Sequence, residues 1–343
     1  MAAPAAADPR HALARVVERL AADGYVAVVA AELEFYLVEQ EGERIRPARG
    51  LVGGQPVLRH DTYGLGKLDE MAPLFDELYH GAAQQGLPAR TLMSEYAPAQ
   101  FEVSLAHRPD ALAAADDAVM WKRLVRGVAA RHGLVASFLA KPFADLAGCG
   151  LHVHVSLADR DGNNLFASDD PAGTPLLRHG VAGLMATMPE SMAVFAPNAN
   201  SYRRFRRLSY APVAPTWGVN NRSVGFRVPA GPPPSRHVEH RICGADANPY
   251  LAIATVLAGL HRGIRERLDP GPPVVGNGYA LPPDPRVPLD WNAALAAAAR
   301  STFLNEALGA EFMNVFMAVK RAECERFGAE PTTLDYAWYL KQV

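Results

Sequence analysis

The sequence predicts an α+β protein in which one face of a β-sheet lines a site. Helix-like and strand-like segments are interspersed along the chain. The predicted strands alternate polar with apolar residues, so one face of the sheet should be polar and the other should face a core. Of the 343 residues, 49% are hydrophobic and 20% are charged, which supplies a sizeable core and excludes wholesale disorder.

Capping residues and apolar spacing predict the helices. Asp8 can cap a first helix over residues 8–22, with Pro9 at its first position. Gly86 and Pro88 end a second helix that begins near residue 69, and Gly133 follows a long one. The predicted helices span residues 8–22, 69–86, 110–132, 175–192, 249–268 and 291–327.

Valine-rich and aromatic segments predict the strands. The predicted strands span residues 25–38, 91–105 with a turn at Pro98, 151–157 and 237–242. Residues 198–228 mix loop and strand, and residues 41–67, 229–234 and 271–288 are punctuated by glycine and proline and are predicted to be loops.

Composition excludes several functional classes. The net charge of −2 argues against a protein that coats nucleic acid, and no apolar run approaches the ~20 residues of a membrane helix. The start of the chain lacks the pattern of a secretory signal. Cys149, Cys243 and Cys324 are odd in number and widely spaced, which indicates a reducing compartment. We therefore expect a cytoplasmic enzyme or binding protein with no membrane or nucleic-acid partner.

Paired functional groups on predicted strands form an acidic constellation. Side chains at i and i+2 of a strand share a face. The pairs are Glu32 with Glu34, His152 with His154, and Glu239 with Arg241, and a fourth segment places Glu95 and Glu102 on either side of a turn. Gathered carboxylates repel one another unless cations compensate, and oxygen-rich sets with one imidazole suit Mg²⁺ or Mn²⁺. Any one pair alone could also be a solvated sheet face.

An arginine cluster follows this constellation. Its members are Arg203, Arg204, Arg206, Arg207, Arg222, Arg227, Arg236 and Arg241. The guanidinium fork suits phosphate and carboxylate groups. The interleaved Tyr202 and Phe205 mildly favour a nucleic-acid patch, whereas the neutral net charge and the acidic strands favour an anionic small molecule beside metal ions.

Taken together, these segments resemble the glutamine synthetase family, and look most like its γ-glutamylpolyamine synthetase branch of glutamate–amine ligases. The residues that carry the resemblance lie at 31–36 (AELEFY), 94–102 (SEYAPAQFE), 148–157 (GCGLHVHVSL), 201–205 (SYRRF), 217–223 (WGVNNRS), 238–251 (VEHRICGADANPYL) and 335–340 (DYAWYL). The match runs from about Asp8 to the end of the chain, and several motifs in the same order make it specific.

The resemblance implies a single catalytic domain over residues 1–343, with a curved antiparallel β-sheet, shaped like half a barrel, flanked by helices. Residues 1–24 would be a remnant N-terminal helix and residues 290–343 a C-terminal helical region. Family members usually carry a small β-grasp domain before the Glu-x-Glu strand, and we expect it to be absent here. The family forms rings, so we expect a homo-oligomer or a partner that supplies the missing domain.

The resemblance also assigns roles to residues. One metal ion, Mg²⁺ or Mn²⁺, would be held by Glu34, Glu95 and Glu102, and a second by Glu32, His152 and Glu239. The predicted ATP-binding residues are His154, Ser156, Arg222, Arg227 and His237. Gly148, Arg204 and Arg241 would bind the acid substrate, and Arg222 and Tyr210 are the predicted catalytic residues. The implied reaction phosphorylates glutamate with ATP and then forms an amide with an amine.

Four positions depart from the family pattern. Tyr210 stands where ammonia-using members have a glutamate, so we expect an acceptor amine other than ammonia. Ala147 replaces an asparagine that helps orient glutamate, and Ala99 replaces a turn glycine. If that turn needs a positive φ, Ala99 is strained. His237 replaces an arginine that contacts nucleotide phosphate, which should alter ATP affinity or its pH dependence.

These departures and the expected loss of a domain leave two further hypotheses open. The first is a catalytically weak or inactive relative that acts as a binding or regulatory protein. The second is a phosphotransferase that uses metal and ATP without forming an amide. Turnover at ordinary enzyme rates would exclude the first, and a phosphorylated product that persists without amine would favour the second.

Overall fold

The computed structural model describes residues 5–55, 60, 62–206 and 209–342, and it confirms the α+β class. Nine strands within this part of the chain form one sheet, in the order β3-β4-β1-β6-β9-β8-β7, with β2 and β5 also paired to β1. The strands are β1 Val26–Glu41, β2 Arg44–Pro47, β3 Ala89–Ser94, β4 Gln100–Leu105, β5 Val135–Ser137, β6 Leu151–Ala158, β7 Trp217–Val219, β8 Phe226–Val228 and β9 Val238–His240. The sheet is open, with β3 and β7 at its two ends.

Eleven α-helices within the described residues flank this sheet. They are α1 Pro9–Ala22, α2 Leu65–Glu70, α3 Ala72–Gln84, α4 Ala111–Arg131, α5 Pro175–Phe195, α6 Ala199–Tyr202, α7 Pro249–Glu266, α8 Trp291–Ala299, α9 Thr302–Leu308, α10 Ala310–Ala329 and α11 Thr333–Tyr339. Short 3-10 turns lie at Pro233–Ser235 and Gly278–Ala280. In the part of the chain described, no helix is both long and apolar enough to cross a membrane.

The predicted all-antiparallel sheet is wrong at one pair of strands. β7 and β8 run parallel, although only six residues separate them. Asn220, with φ of 46°, turns the chain just after β7, and the Asn221 side chain accepts a hydrogen bond from the Ser223 amide at 3.0 Å. These two features let so short a connection return the chain to the start of a parallel strand, which a hairpin turn would not do.

Several element boundaries also differ from the predictions. The predicted loop at residues 41–67 contains β2 and the start of α2, and the predicted helix at 69–86 is interrupted at Met71. The predicted helix at 291–327 is three helices. Ser301 caps α9 through the Leu304 amide, and Gly309, with φ of 94°, separates α9 from α10. Short β5 and α11 had no distinct sequence signal, and β9 is shorter than predicted.

The predicted first helix is confirmed, and it packs against the C-terminal region. The Asp8 side chain accepts a hydrogen bond from the Arg10 amide at 2.9 Å, as expected of an N-cap. Arg19 donates to the carbonyls of Glu306 and Ala307 at 2.7 and 2.9 Å. The two ends of the described chain thereby share one helical layer.

The apolar side of the sheet packs against the helical layer. Leu33 and Phe35 are fully buried on β1, with parity opposite to Glu32 and Glu34. Within the helical layer, α5 and α7 approach so closely that a Cβ on Gly183 would lie 2.2 Å from the Gly259 carbonyl oxygen. This tight packing holds the core side of the sheet rigid and leaves the polar face free to form a site.

Candidate active site

Strand register places the predicted metal ligands opposite one another. Glu34 pairs with Glu102 across β1 and β4, and Glu32 pairs with His152 across β1 and β6. On the next strand, Glu239 pairs with His154. Directly paired residues have their Cβ atoms ~5 Å apart on the same face, so three strand pairings gather six residues from distant segments.

One cluster consists of Glu32, His152 and Glu239. One ligand atom from each lies within 4.8 Å of the others. His152 Nδ1 is 2.6 Å from Glu32 Oε1 and 3.5 Å from Glu239 Oε1. This is the trio assigned to the second metal ion by resemblance.

A second cluster differs from the predicted trio. Glu34, Glu102 and His152 each contribute one ligand atom, and these three atoms lie within 4.8 Å of one another. Glu95 is not part of that set. Glu95 still lies close enough to Glu34 for their charges to interact. Its carboxylate accepts a hydrogen bond from the Tyr96 amide at 3.2 Å, while Glu34 accepts one from the Gly150 amide at 2.8 Å.

The carboxylates at this end of the site destabilise one another. Burial and the charge of Glu34 raise the pKa of Glu95 to about 7. Burial, followed by the charges of Glu32 and Glu34, raises the pKa of Glu102 well above its ordinary value. The cluster is therefore short of positive charge at neutral pH.

Glu239 has the opposite electrostatic environment. Its side chain is 1% exposed, and its two oxygens accept hydrogen bonds from Arg227 at 2.8 Å and from Arg241. Burial opposes its ionisation, but the charge of Arg241, aided by His152 and His154, lowers the pKa of Glu239 to about 2. This end of the site is neutralised by protein groups alone.

The residues fit divalent cations of the Mg²⁺ and Mn²⁺ type. The donors are carboxylate oxygens with one imidazole, which is the chemistry that hard cations prefer. Because the pKa values of Glu95 and Glu102 are raised, a bound cation would favour the ionised forms of these two groups at neutral pH.

The predicted ATP-binding residues are divided between two places. His154 and His237 are adjacent on the polar face, with His154 Nδ1 3.0 Å from His237 Nε2, and Ser156 follows on the same strand face. Burial and His154 lower the pKa of His237 to about 4. Arg222 is exposed, and its charge interacts with Glu95.

The predicted acid-binding residues form the wall behind the clusters. Arg204 is buried and donates to the carbonyls of Ile242 and Arg241 at 2.7 and 3.3 Å. A Cβ on Gly148 would lie 2.9 Å from Arg204 Cγ, so Gly148 provides the space that Arg204 fills. Arg241 faces the carboxylates through Glu239, whereas Arg207 lies outside the described residues.

Tyr210 is 63% exposed and has φ of 54°. Its ring meets Tyr279 edge-on, with centroids 6.3 Å apart. Tyr279 is buried, and the Tyr210 backbone lies within hydrogen-bonding reach of its hydroxyl. Tyr279 could not be found from the sequence, because no local pattern marks a residue that reaches a site from the irregular segment at residues 271–288.

His107 was missed as well. It follows β4 and contacts both His154 and His237, with ring centroids 5.9 and 5.3 Å apart. Burial, followed by the charges of His154 and Arg90, lowers the pKa of His107 to about 4. Its position directly after the predicted strand that carries Glu102 was the available signal.

Comparison with known proteins identifies the family. Residues 6–339 match the model of the glutamine synthetase catalytic domain. The chain is 37% identical to gamma-glutamylputrescine synthetase of Escherichia coli K12, over 99% of this chain and 73% of that protein. It is 35% identical to gamma-glutamylethanolamide synthetase of Streptomyces coelicolor, over 99% of this chain and 71% of that protein. It is 33% identical to a Pseudomonas glutamate–isopropylamine ligase, over 97% and 73% respectively.

A solved structure agrees with the sequence comparisons. The ADP complex of GmaS superposes with a TM-score of 0.88 at 29% identity, covering 98% of this chain and 78% of that one. Four of the motifs that carried the resemblance, at 31–36, 94–102, 148–157 and 238–251, lie on strands that the register places side by side. The chain therefore belongs to the glutamine synthetase family, whose members are carbon–nitrogen ligases that use ATP and divalent metal ions.

Proposed function

We propose that this protein joins the γ-carboxyl group of glutamate to an amine other than ammonia, at the expense of ATP. One observation carries the proposal: two carboxylate clusters lie on one face of the sheet, beside Arg227 and Arg241. The relatives named as ligases of putrescine, ethanolamine and isopropylamine support the choice of an amine acceptor.

The proposed chemistry has two steps. The γ-carboxylate oxygen of glutamate attacks the terminal phosphorus of ATP, which releases ADP and leaves an acyl phosphate. The amine nitrogen then attacks the acyl carbon, phosphate departs, and the nitrogen loses a proton. Charge moves through the phosphoryl group in the first step, so a site for it must supply fixed positive groups.

The proposed roles of the residues follow from their positions. Glu32, His152 and Glu239 would hold one Mg²⁺ or Mn²⁺, and Glu34, Glu95 and Glu102 another. When bound, these ions neutralise phosphate oxygens and align the two reactants. His154, Ser156, Arg227 and His237 would contact the nucleotide phosphates, and Arg222 would reach the transferred group from the exposed side.

Arg241 and Arg204 would bind the acid. Arg241 faces the clusters, whereas Arg204 acts from behind by fixing the backbone of Arg241 and Ile242. Gly148 contributes space for Arg204. We therefore propose that Arg204 and Gly148 position the acid-binding wall.

The acceptor amine would enter beside Tyr210. A cavity of about 280 Å³ lies next to it, lined by residues that include Pro212, Val213, Tyr279 and Leu281. A mostly apolar lining suits the hydrocarbon part of an alkylamine, while a neutral tyrosine does little to attract ammonium.

The proposal is tested by ADP release from the purified protein with ATP, glutamate, Mg²⁺ or Mn²⁺, and single amines that include ammonia. We expect release to require both glutamate and an amine larger than ammonia. No amine-dependent release across a broad panel, from protein that binds metal and ATP, would refute the ligase. Release with ammonia alone would refute the interpretation of Tyr210.

A matched pair of variants then tests the acceptor site. Y210E restores the carboxylate of the ammonia-using members and should raise activity with ammonia relative to alkylamines. Y210F keeps the ring and should retain the amine preference of the unaltered protein. Equal preferences in all three proteins would place the acceptor elsewhere.

We also propose that the protein forms a homo-oligomer in the cytoplasm. Exposed apolar side chains on and beside α11 include Leu334, Tyr336, Trp338, Tyr339 and Leu340. Such a concentration is typical of an association surface. The three cysteines are free thiols, which agrees with a reducing compartment. Light scattering of the protein and of W338S would test the assembly, since a monomer in both would refute it.

A further inference from the structure

Three histidines meet at the edge of the acidic clusters. His107, His154 and His237 each present a ring nitrogen within 4.8 Å of the other two. They come from three separate segments, since His107 follows β4, His154 lies on β6 and His237 precedes β9. None of them belongs to the two metal-ligand sets assigned above.

Two of these rings, those of His154 and His237, are held so that a nitrogen of each faces the other. His237 Nδ1 donates to the Ser235 carbonyl at 2.7 Å, which leaves Nε2 as a lone-pair donor. His154 Nδ1 faces that atom at 3.0 Å, while His154 Nε2 lies 3.6 Å from a Glu32 oxygen. A ring N–H held by a carbonyl or carboxylate, with the other nitrogen directed into a cluster, is the usual arrangement of metal-binding histidines.

We propose that His107, His154 and His237 form a third metal site, selective for Zn²⁺ and similar borderline cations. Three imidazole nitrogens suit Zn²⁺ or Co²⁺, whereas Mg²⁺ prefers oxygen ligands. Water or a phosphate oxygen completes a four-coordinate shell on the open side, where His107 is exposed.

This site has a functional consequence that rests on the proposed ligase. His154 and His237 are the residues proposed to contact nucleotide phosphates, so a cation bound to them changes the affinity for ATP. The existence of the site does not depend on that activity. Metal binding and ADP release are therefore measured separately.

The test is zinc titration of the metal-stripped protein in millimolar Mg²⁺, with a chromophoric chelator as competitor. We compare the unaltered protein with H107Q and with H237R, in which the family's common arginine removes a ligand. H80Q is the matched control, because His80 is an exposed histidine on α3 outside the site. Circular dichroism and thermal melting confirm that each variant is folded.

We expect the unaltered protein and H80Q to bind one more tight Zn²⁺ than H107Q and H237R. The lost affinity should be at least the ~10–100-fold that removal of an outer-shell partner costs. Co²⁺ should give the strong visible absorption of a four-coordinate ion in the unaltered protein and H80Q alone. Equal zinc stoichiometry and affinity in all four proteins would overturn the proposal whether or not the ligase is active. So would loss of this zinc in a fifth variant, E239Q, with retention in H107Q and H237R, because the ion would then lie in the cluster of Glu32, His152 and Glu239.

Discussion

The two ends of the acidic site differ in how their charge is balanced. At one end, Glu239 is buried between Arg227 and Arg241, and its pKa is lowered to about 2. At the other, burial and neighbouring carboxylates raise the pKa values of Glu95 and Glu102. The Glu239 end is therefore balanced by folding alone, whereas Glu95 and Glu102 at the other end need a cation to ionise fully at neutral pH.

The largest expected effect is a difference in the free energy of unfolding between substitutions at the two ends of the site. E239Q leaves the buried Arg241 and the partly buried Arg227 without their carboxylate and should lower the free energy of unfolding by about 3 kcal/mol. E102Q removes a repelling charge, so in a chelator it should be at least as stable as the unaltered protein. Urea unfolding in EDTA measures both. Equal destabilisation by the two substitutions would contradict the comparison.

The next prediction concerns pH in the metal-free protein. Glu95 has a raised pKa in the folded state, so it stabilises the fold at pH below about 4.5, and this contribution is lost as the pH rises through about 7. Glu239 has a lowered pKa, so it contributes stability above about 4.5 that is lost as the pH falls toward about 2.

The free energy of unfolding, measured in EDTA between pH 4.5 and 8, tests the predicted direction of this pH dependence. We expect E95Q to abolish part of the decline in stability between pH 4.5 and 7, because an amide does not titrate. Saturating Mn²⁺ should reverse the slope in the unaltered protein, since ligation requires ionised carboxylates. A decline that is unchanged in both E95Q and E102Q would refute the repulsion.

A smaller effect is expected in the wall that both ends share. A Cβ at position 148 would lie 2.6 Å from the Ala140 carbonyl oxygen and 2.9 Å from Arg204 Cγ. G148A should therefore cost about 1–3 kcal/mol and raise the KM for glutamate more than the KM for ATP. G127A is the control, because Gly127 lies exposed within α4 and the substitution should stabilise the helix by ~0.5–1 kcal/mol.

The smallest effect lies in the turn between Glu95 and Glu102. Ala97 and Ala99 are both fully buried, but only Ala99 has a positive φ, of 51°. A97G should lower the free energy of unfolding. A99G should be about 1 kcal/mol more stable than A97G, because glycine at position 99 relieves the left-handed strain. Thermal melting of the two variants measures this difference, and identical losses would show that Ala99 is unstrained.

Sequence reasoning located the functional strands well because their pattern is local. The alternation in Glu32-Leu33-Glu34 predicts which side chains share a face, and the structure has that arrangement on β1. The conditional expectation of strain at Ala99 is met by its positive φ. The parallel pairing of β7 with β8 escaped prediction, because a short strand carries no signal for the direction of its partner.

The candidate site was predictable in its residue types and less so in its contacts. Glu95 stands apart from the trio expected to include it, and Arg204 donates to main-chain carbonyls. Tyr279 and His107 were missed because they reach the site from outside the motifs. A motif specifies which residues lie on one strand, whereas the distances between their side chains depend on neighbours supplied by other strands.

The sequence by itself determined the α+β class, the family and the paired groups on each strand, because strand alternation and helix caps act over a few residues. Only the tertiary structure decided that Glu34 faces Glu102, that Glu239 lies between two arginines, and that three histidines converge. The physical reason is that strand pairing joins segments more than a hundred residues apart, as Val26 with Ala158, and burial then sets the charge balance of the side chains that pairing brings together.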